Sequence, residues 1–543
     1  MLLVLILRLS LTRKQTAGIR YISMSLLKRT PFHPLLFGIF PVLALLAFNI
    51  GEIKISAALR SLVICFLLSI ILLLVLRVFL KDWIKSALAV TWWSTLFFSY
   101  GHIYTFLEQH AVLGMSLGRH RLLVPLWMIM AVLGFYWLVY KIRDNSNLTI
   151  ALNVAGIALV ILPVGQLISY QMRMAASNGL EGSLPEINDL SVQANQKSPD
   201  IYYIILDAYA RDDVLLAQFN YDNTAFLSEL GDMGFYVARC SQSNYAQTEL
   251  SLASSLNMNY LEALGDDVSS GKKVKSGLWR LIKHSEVVKI LQSRGYTIVA
   301  FETGFAWSEI DEADVYVSQE EKGITAWEQI QPVNGFEALL IKTSAGLIFT
   351  DAASFVPGFL QIDIDAPRRT HRDKVLYLLS KLNTIPTTVH SPKFVFAHIV
   401  APHIPFVFGP DGEEVKYPDQ MDAETFARGY RDQVTYINKR IETIVRGILE
   451  ITATPPIIII QADHGYDRAK PAERMAILNA YYLPEGGENI LYPGISPVNT
   501  FRAVFNDYFG GKFPLLVDKS YYSLYEDPFT YTTIQNSRPD CQP

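Results

Sequence analysis

Apolar residues are distributed in two different ways along this chain. Over the first 175 residues they run in long blocks, near residues 34–50, 59–80, 86–107, 122–140 and 148–170. Each block is close to the ~20 residues a helix needs to cross a bilayer's hydrocarbon core. Lipid offers the backbone no hydrogen-bonding partner, so these blocks are expected as helices. Beyond residue 198 the blocks shorten into β-branched and aromatic runs: IYYIIL at 201–206, YTIVAF at 296–301, KFVFAHIV at 393–400 and IIIIQA at 457–462. They alternate with helical patterns, which predicts an α/β domain whose central sheet is covered by helices. Residues 176–198 between the two regions are polar and carry glycine, proline and asparagine, the composition of a linker. The expected organisation is a membrane domain over residues 1–175 with five transmembrane helices, a linker over 176–198, and an α/β domain over 199–543.

The basic residues suggest an orientation. Arg13, Lys14, Arg20, Lys28 and Arg29 precede the first block, Lys81 and Lys85 follow the second, and Lys141 and Arg143 follow the fourth. The alternate loops carry only Lys54 and Arg60, and Arg119 and Arg121. Positive residues accumulate on the cytoplasmic side, so the N-terminus is expected there and everything after about residue 175 outside. The opening MLLVLILRLSL is too short to span and is followed by no small-residue cleavage site, so it is expected to be retained.

The 543 residues have a mean hydropathy of +0.22, unusual for a soluble protein. The net charge of −4 identifies no partner, and no basic cluster away from the membrane flanks points to nucleic acid. Of three cysteines, Cys65 falls in a membrane block, while Cys240 and Cys541 would lie in an oxidising space, where a bridge is possible. Residues 303–392 are less legible. The apolar GFEALLIKTSAGLIFTDAASFV suits either a helix packed on the core or a surface helix near the membrane.

Candidate chemistry gathers where the short strands end. IYYIIL runs directly into Asp207, and the isoleucine run into Asp463-His464-Gly465. In open α/β sheets the loops leaving the strands converge at this edge. Two carboxylates and an imidazole suit a divalent cation such as Zn²⁺ or Mn²⁺. Thr248 stands before a helical pattern (Leu250, Ala253, Ser254, Leu256), where a threonine commonly serves as an N-cap. The same position offers free N–H groups and a positive dipole end to an anion. FVFAHIVAPHIPF places His398 near a strand end and His403 on a proline-bounded turn.

In this order, IILDAYARD, NYAQTELSLASSL, HIVAPHIPF and IIIQADHG resemble the alkaline phosphatase and sulfatase superfamily, and in particular its membrane branch of lipoteichoic acid synthases and phosphoethanolamine transferases. That branch also places five membrane helices before an extracytoplasmic catalytic domain. The resemblance implies an alkaline-phosphatase-like α/β fold and one divalent metal ion, Mn²⁺ or Zn²⁺. The implied ligands are Asp207, where the transferases usually have glutamate, with Thr248, Asp463 and His464. Thr248 would also be the nucleophile, while His403, and less directly His398, would bind phosphate or assist proton transfer.

It further implies a cell-membrane enzyme that cleaves a phosphodiester of a membrane phospholipid and passes the headgroup through phosphothreonine to an envelope glycan, glycolipid or polymer. The alternative is a hydrolase of the same superfamily, a phosphodiesterase or phosphatase acting on a soluble or glycan-linked ester. Sulfatases need Cys or Ser in Cys/Ser-x-Pro-x-Arg for conversion to formylglycine, and CSQSNYAQTE offers no such pattern. No Asp-x-x-x-His run appears for a second metal. The segments 471–484 and 496–510 are expected to be structural; Trp307 either lines the substrate cleft or packs, the commoner role of an aromatic in a loop.

Overall fold

The computed structural model describes residues 30–51, 53–110, 118–142, 146–178, 198–264, 276–305, 307–319, 333–351, 363–418, 421–536 and 538–541. The opening apolar stretch, the basic residues Arg13, Lys14, Arg20, Lys28, Arg29 and Arg143, and most of the expected linker lie outside them. The chain divides into two compact units, Met1–Met172 with Gln331–Pro367, and Arg173–Ile330 with Arg368–Pro543.

In the first unit, helices α1 (His33–Phe48), α2 (Ser56–Leu80), α3 (Trp83–Gln109), α4 (His120–Tyr136, continued by a π-turn at Trp137–Lys141) and α5 (Ser146–Asn178) occupy the five expected intervals. By length and composition, Ser56–Leu80, His120–Lys141 and Ser146–Met172 suffice to cross a membrane, and His33–Phe48 is a shorter apolar helix. Polar side chains fix where helices begin. Asn153 Oδ1 accepts the N–H groups of Phe32 and His33 at 3.2 and 2.9 Å. Asp82 Oδ1 accepts those of Ile84 and Lys85 at 2.9 and 3.1 Å, restarting the chain as α3 just after Lys81 ends α2 in the left-handed region.

The ambiguous apolar stretch of the sequence belongs to this unit. It forms helices Gly335–Lys342 and Gly346–Asp351, the first opened by a reciprocal capping box between Asn334 and Glu337. Asn334 Nδ2 also donates to Ala57 O at 3.0 Å, and Arg60 Nε donates to Glu337 Oε1 at 2.6 Å. Phe336 is buried among Val42, Leu46 and Ala58. Next along the segment, Ala345 N–H donates to Phe97 O at 2.7 Å. Gly101 makes this approach possible, because a Cβ there would stand 2.4 Å from Lys342 O. This apolar run thus packs against helices of the first unit.

The second unit is built on a seven-stranded sheet in the order β2-β7-β6-β1-β5-β3-β4, with β1 Ile201–Leu206, β2 Tyr236–Val237, β3 Thr297–Phe301, β4 Val315–Val317, β5 Lys393–Ile399, β6 Ile457–Gln461 and β7 Asn479–Tyr482. Strands β6, β1, β5, β3 and β4 run parallel, β7 pairs antiparallel with β6, and β2 at the edge pairs antiparallel with β7. Side chains alternate across a strand, so the isoleucine run serves two cores. Ile458 and Ile460 join Tyr202, Ile204 and Leu206 on one face, and Ile457 and Ile459 join Ile201, Tyr203 and Ile205 on the other. Both faces are covered, which is why the run is continuously rather than alternately apolar.

Helix α6 (Thr248–Leu256) and α9 (Pro497–Tyr508) pack on the second face, while α7 (Ala366–Leu382) and α8 (Ala423–Ile451) pack on the first. The bridge Cys240–Cys541 joins the loop ahead of α6 to the end of the chain. A hairpin, β8 Ser520–Leu524 and β9 Asp527–Ile534, lies against that loop, where Gln247 Nε2 donates to Leu524 O at 3.0 Å.

Gly101→Val should overpack the crossing of α3 with the returning segment and destabilise the protein by about 1–3 kcal/mol. The readout is the thermal unfolding midpoint of the full chain in detergent. An unchanged midpoint would mean that the segment does not depend on this contact.

Candidate metal centre

The register of the sheet brings the two expected carboxylates together. β1 is flanked by β6 and β5, all three parallel, so their C-terminal ends lie side by side. Asp207 follows β1, Asp463 and His464 follow β6, and His398 is the penultimate residue of β5. The turn after Asp207 is sharp, with Ala208 at φ +63°. Its N–H donates to Asp463 Oδ1 at 3.1 Å, as does the N–H of His464 at 2.9 Å. These two bonds satisfy one oxygen of Asp463 and leave Oδ2 buried with no hydrogen-bond partner; Asp207 Oδ1 is likewise buried and unpartnered.

His464 completes the set. Its Nδ1 lies 2.9 Å from Gly465 O; donation there leaves Nε2 with its lone pair, 3.3 Å from Asp463 Oδ2 and 3.7 Å from Asp207 Oδ1. Atoms of the three residues lie within 4.8 Å of one another, and all three side chains are buried. Two orphaned carboxylate oxygens converge with an imidazole nitrogen, a donor set that fits a divalent cation.

Thr248 is the first residue of α6, and the N-cap position is filled by Gln247. Its hydroxyl is therefore not consumed by capping and instead stands 3.0 Å from His464 Nε2. The side chain sits at the positive end of the helix dipole.

His403 lies on the turn after β5, its N–H bonded to Asp207 O at 3.0 Å. Its Nε2 is 3.3 Å from Asp467 Oδ1, and its side chain is 29 % exposed. Burial works against a charge here, but Asp467 and then Asp207 outweigh it and push His403 up to about 10. Burial would conversely raise the Asp467 and Asp207 carboxyls, but the charge of His403 holds both well below the usual range. His398 is sealed, with Nε2 3.2 Å from Asp207 Oδ2. It meets the carboxylate from behind rather than opening to solvent.

Three further groups escape the sequence reading. Asp467, three residues past His464, pairs with His403 and accepts from Arg474 Nη1 at 3.1 Å. Arg474, in a segment expected to be structural, also donates to Gly465 O at 2.9 Å and Ala246 O at 3.0 Å, and brings Nη2 to 3.2 Å from His464 Nε2. His371, in α7, is pushed down to about 4 by burial and then by the charge of His403. Only Asp467 has a local signal, its closeness to Asp463-His464. Trp307 is 7 % exposed, with its ring 6.3 Å from that of His398, and so packs behind the site.

Among solved structures, the chain is similar to the C-terminal periplasmic domain of EcEptC from Escherichia coli in complex with Zn, at 10 % identity and a TM-score of 0.38, covering 59 % of this chain and 84 % of that one. It is similar to the integral membrane lipooligosaccharide phosphoethanolamine transferase A from Neisseria meningitidis at 12 % identity and a TM-score of 0.38, covering 89 % and 95 %. Similarity to the lipoteichoic acid synthase LtaP of Listeria monocytogenes is at 14 % identity and a TM-score of 0.36, covering 60 % and 77 %. No curated protein matches in sequence. The Sulfatase family profile matches residues 199–502, more than half of the chain, and this stretch contains every residue of the cluster around Asp207. The protein therefore belongs to the sulfatase family of enzymes.

Proposed function

We propose that the protein is a metal-dependent phosphotransferase that cleaves a phosphodiester in a membrane phospholipid and transfers the headgroup, through phosphothreonine at Thr248, to a hydroxyl of an envelope glycan, glycolipid or polymer. The observation that carries this reading is the Thr248 hydroxyl. It is free of capping duty, held 3.0 Å from His464 Nε2, and placed beside two buried, unpartnered carboxylate oxygens. A threonine at this position, in a loop without the Cys/Ser-x-Pro-x-Arg pattern, favours phosphoryl over sulfuryl chemistry.

Asp207, Asp463, His464 and Thr248 would hold one divalent cation, Mn²⁺ or Zn²⁺. When bound, such an ion stabilises negative charge on the phosphoryl oxygens and lowers the pKa of the hydroxyl. The helix N-terminus at Thr248 and the Arg474 guanidinium favour the anionic group beside the nucleophile. Thr248 Oγ1, its proton released to solvent, attacks phosphorus and the bond to the diacylglycerol oxygen breaks. His403, pushed up to about 10 by its carboxylate neighbours, holds a proton at neutral pH to give to that oxygen. The acceptor hydroxyl then gives its proton to the now neutral His403, attacks phosphothreonine and frees Thr248, whose oxygen regains a proton from solvent.

The apolar helices of the first unit support a lipid donor, because a tethered site meets headgroups at high effective concentration. The bridge Cys240–Cys541 and the asymmetry of basic residues support a cytoplasmic N-terminus, five crossings and an extracytoplasmic second unit.

With Mn²⁺ and fluorescent phosphatidylglycerol or phosphatidylethanolamine, the purified full chain should release diacylglycerol, and Thr248→Ala should lower the rate on the order of 10³-fold or more. Release unaffected by Thr248→Ala would remove the nucleophile from the proposal. Cleavage of a soluble aryl phosphodiester without release from lipid would assign the same site to a hydrolase.

Asp463→Asn should cut both activity and bound metal, measured by elemental analysis after dialysis, since neutralising one ligand typically weakens a divalent site by far more than a second-layer change of about 10–100-fold. Unchanged metal content would place the ion elsewhere.

Below its raised pKa, His403 carries the proton it is asked to donate, and that proton is lost as pH rises through about 10. The rate should therefore fall on the alkaline side. His403→Gln should flatten that limb and lower the plateau by about 10²–10⁴-fold. An unaltered alkaline limb in the variant would exclude His403 as the acid.

A further inference from the structure

The first unit carries an open apolar groove of about 480 Å³ between α3 and α4, walled by Trp93, Phe97, Trp127 and Phe135 and bordered by Ala345 and Ile348 of the returning segment. Its size is that of a small-molecule pocket. Its chemistry is narrower, for every lining residue is apolar or aromatic. The Trp127 indole N–H is already given to Leu96 O at 3.0 Å. The lining extends along α4 from Val124 to Phe135, roughly 16 Å at about 1.5 Å per residue. That is close to half of the ~30 Å hydrocarbon core, the depth of one leaflet.

Beyond Trp127, the N-terminal end of α4 carries polar and basic groups. Trp127 meets Tyr100 edge to face, with ring centroids 5.5 Å apart. The Tyr100 hydroxyl is 2.7 Å from His120 Nδ1, and the His120 ring stacks on Tyr104 at 4.4 Å. Arg119 and Arg121 flank His120, are exposed, and make no ion pair among the described residues. Aromatic rings followed by cationic side chains at a helix end are the arrangement that meets lipid headgroups at the membrane interface.

We propose that this groove holds one acyl chain of a membrane phospholipid, whose phosphate is met by Arg119 and Arg121. The occupant follows from a leaflet-deep apolar groove on a helix that opens with Arg119 and Arg121, exposed and without an ion pair among the described residues. The border adds a consequence. Ala345 and Ile348 come from the segment pinned to α2 and α3 by Glu337 and by the backbone bond to Phe97, so the lipid would contact residues inserted in sequence between two parts of the α/β unit. The proposal stands independently of the phosphodiester chemistry.

The test reconstitutes the full chain in vesicles of phosphatidylglycerol doped with a phospholipid bearing a diazirine on its acyl chain, and maps photo-adducts by peptide mass spectrometry. Adducts should concentrate on Trp93–Phe97 and Val124–Phe135 and fall several-fold in Ala131→Trp, which fills the space. Ala345→Phe, which fills it from the border, should do the same and serves if the first variant does not fold. Adducts spread evenly over exposed α2 residues such as Val63, Leu67 and Val78, or undiminished in both filled variants, would overturn the site. Arg119→Gln with Arg121→Gln should reduce labelling by the phospholipid probe several-fold, and equal labelling by a phosphate-free fatty-alcohol probe in the unaltered chain would overturn the headgroup contact.

Discussion

Everything in the second unit depends on placing two carboxylates side by side at the end of a buried sheet. Like charges in a medium of low dielectric repel, and each also pays for leaving water. The protein stabilises them with local geometry. Two backbone N–H groups, from Ala208 and His464, converge on Asp463 Oδ1, and His398 meets Asp207 Oδ2 from behind. Each carboxylate thus has one oxygen engaged by the fold and one left over. The left-over oxygens share the side on which His464 Nε2 and the Thr248 hydroxyl lie.

That arrangement needs a stiff foundation, and the isoleucines of β6 supply it. Placing them alternately in two cores locks β6 against β1 in one register, since a slip of one residue would exchange the faces of every side chain. It would also separate Asp463 from Asp207. At the strand's end, Gln461 is held by both arms of its amide: Nε2 donates to Tyr203 OH at 2.9 Å, and Oε1 accepts from Thr500 Oγ1 at 3.0 Å. The transition from apolar strand to charged site is therefore made through a fully bonded polar residue.

The parts of the site that lie at the ends of strands or helices were legible in the sequence. Asp207, Asp463 and His464 follow apolar runs whose length and flanks define the strand end, and Thr248 precedes a helical pattern. His403 was marked by its neighbouring prolines. Arg474 carries no such mark, because it reaches the site from a five-residue helix by long-range bonds to Ala246 and His464. His371 is one of many polar residues on α7, and only the tertiary packing distinguishes it. The segment 331–367 was ambiguous for another reason. An apolar stripe states that a surface must be covered but not by what, and lipid-facing helices and a sheet offer similar surfaces. What selected the membrane helices was a capping box, one ion pair and the missing Cβ of Gly101.

Charge explains why these particular residues surround the cluster. Asp207, Asp463 and Asp467 contribute three carboxylates, against which stand the Arg474 guanidinium and the proton that carboxylate neighbours hold on His403. Burial keeps His464 and His371 low, so neither adds a charge. The cluster alone is therefore one negative charge in excess, a poor host for an anionic ester. A divalent cation at Asp207, Asp463, His464 and Thr248 would reverse that to one positive charge, which a phosphodiester monoanion matches. A neutral leaving alcohol then requires the proton of His403, which is held on the side of the cluster facing Asp467 rather than among the ligands. In the proposed mechanism, separating the proton donor from the metal ligands, by Asp467 and Arg474, would let one small cluster bind an anion and protonate its leaving group.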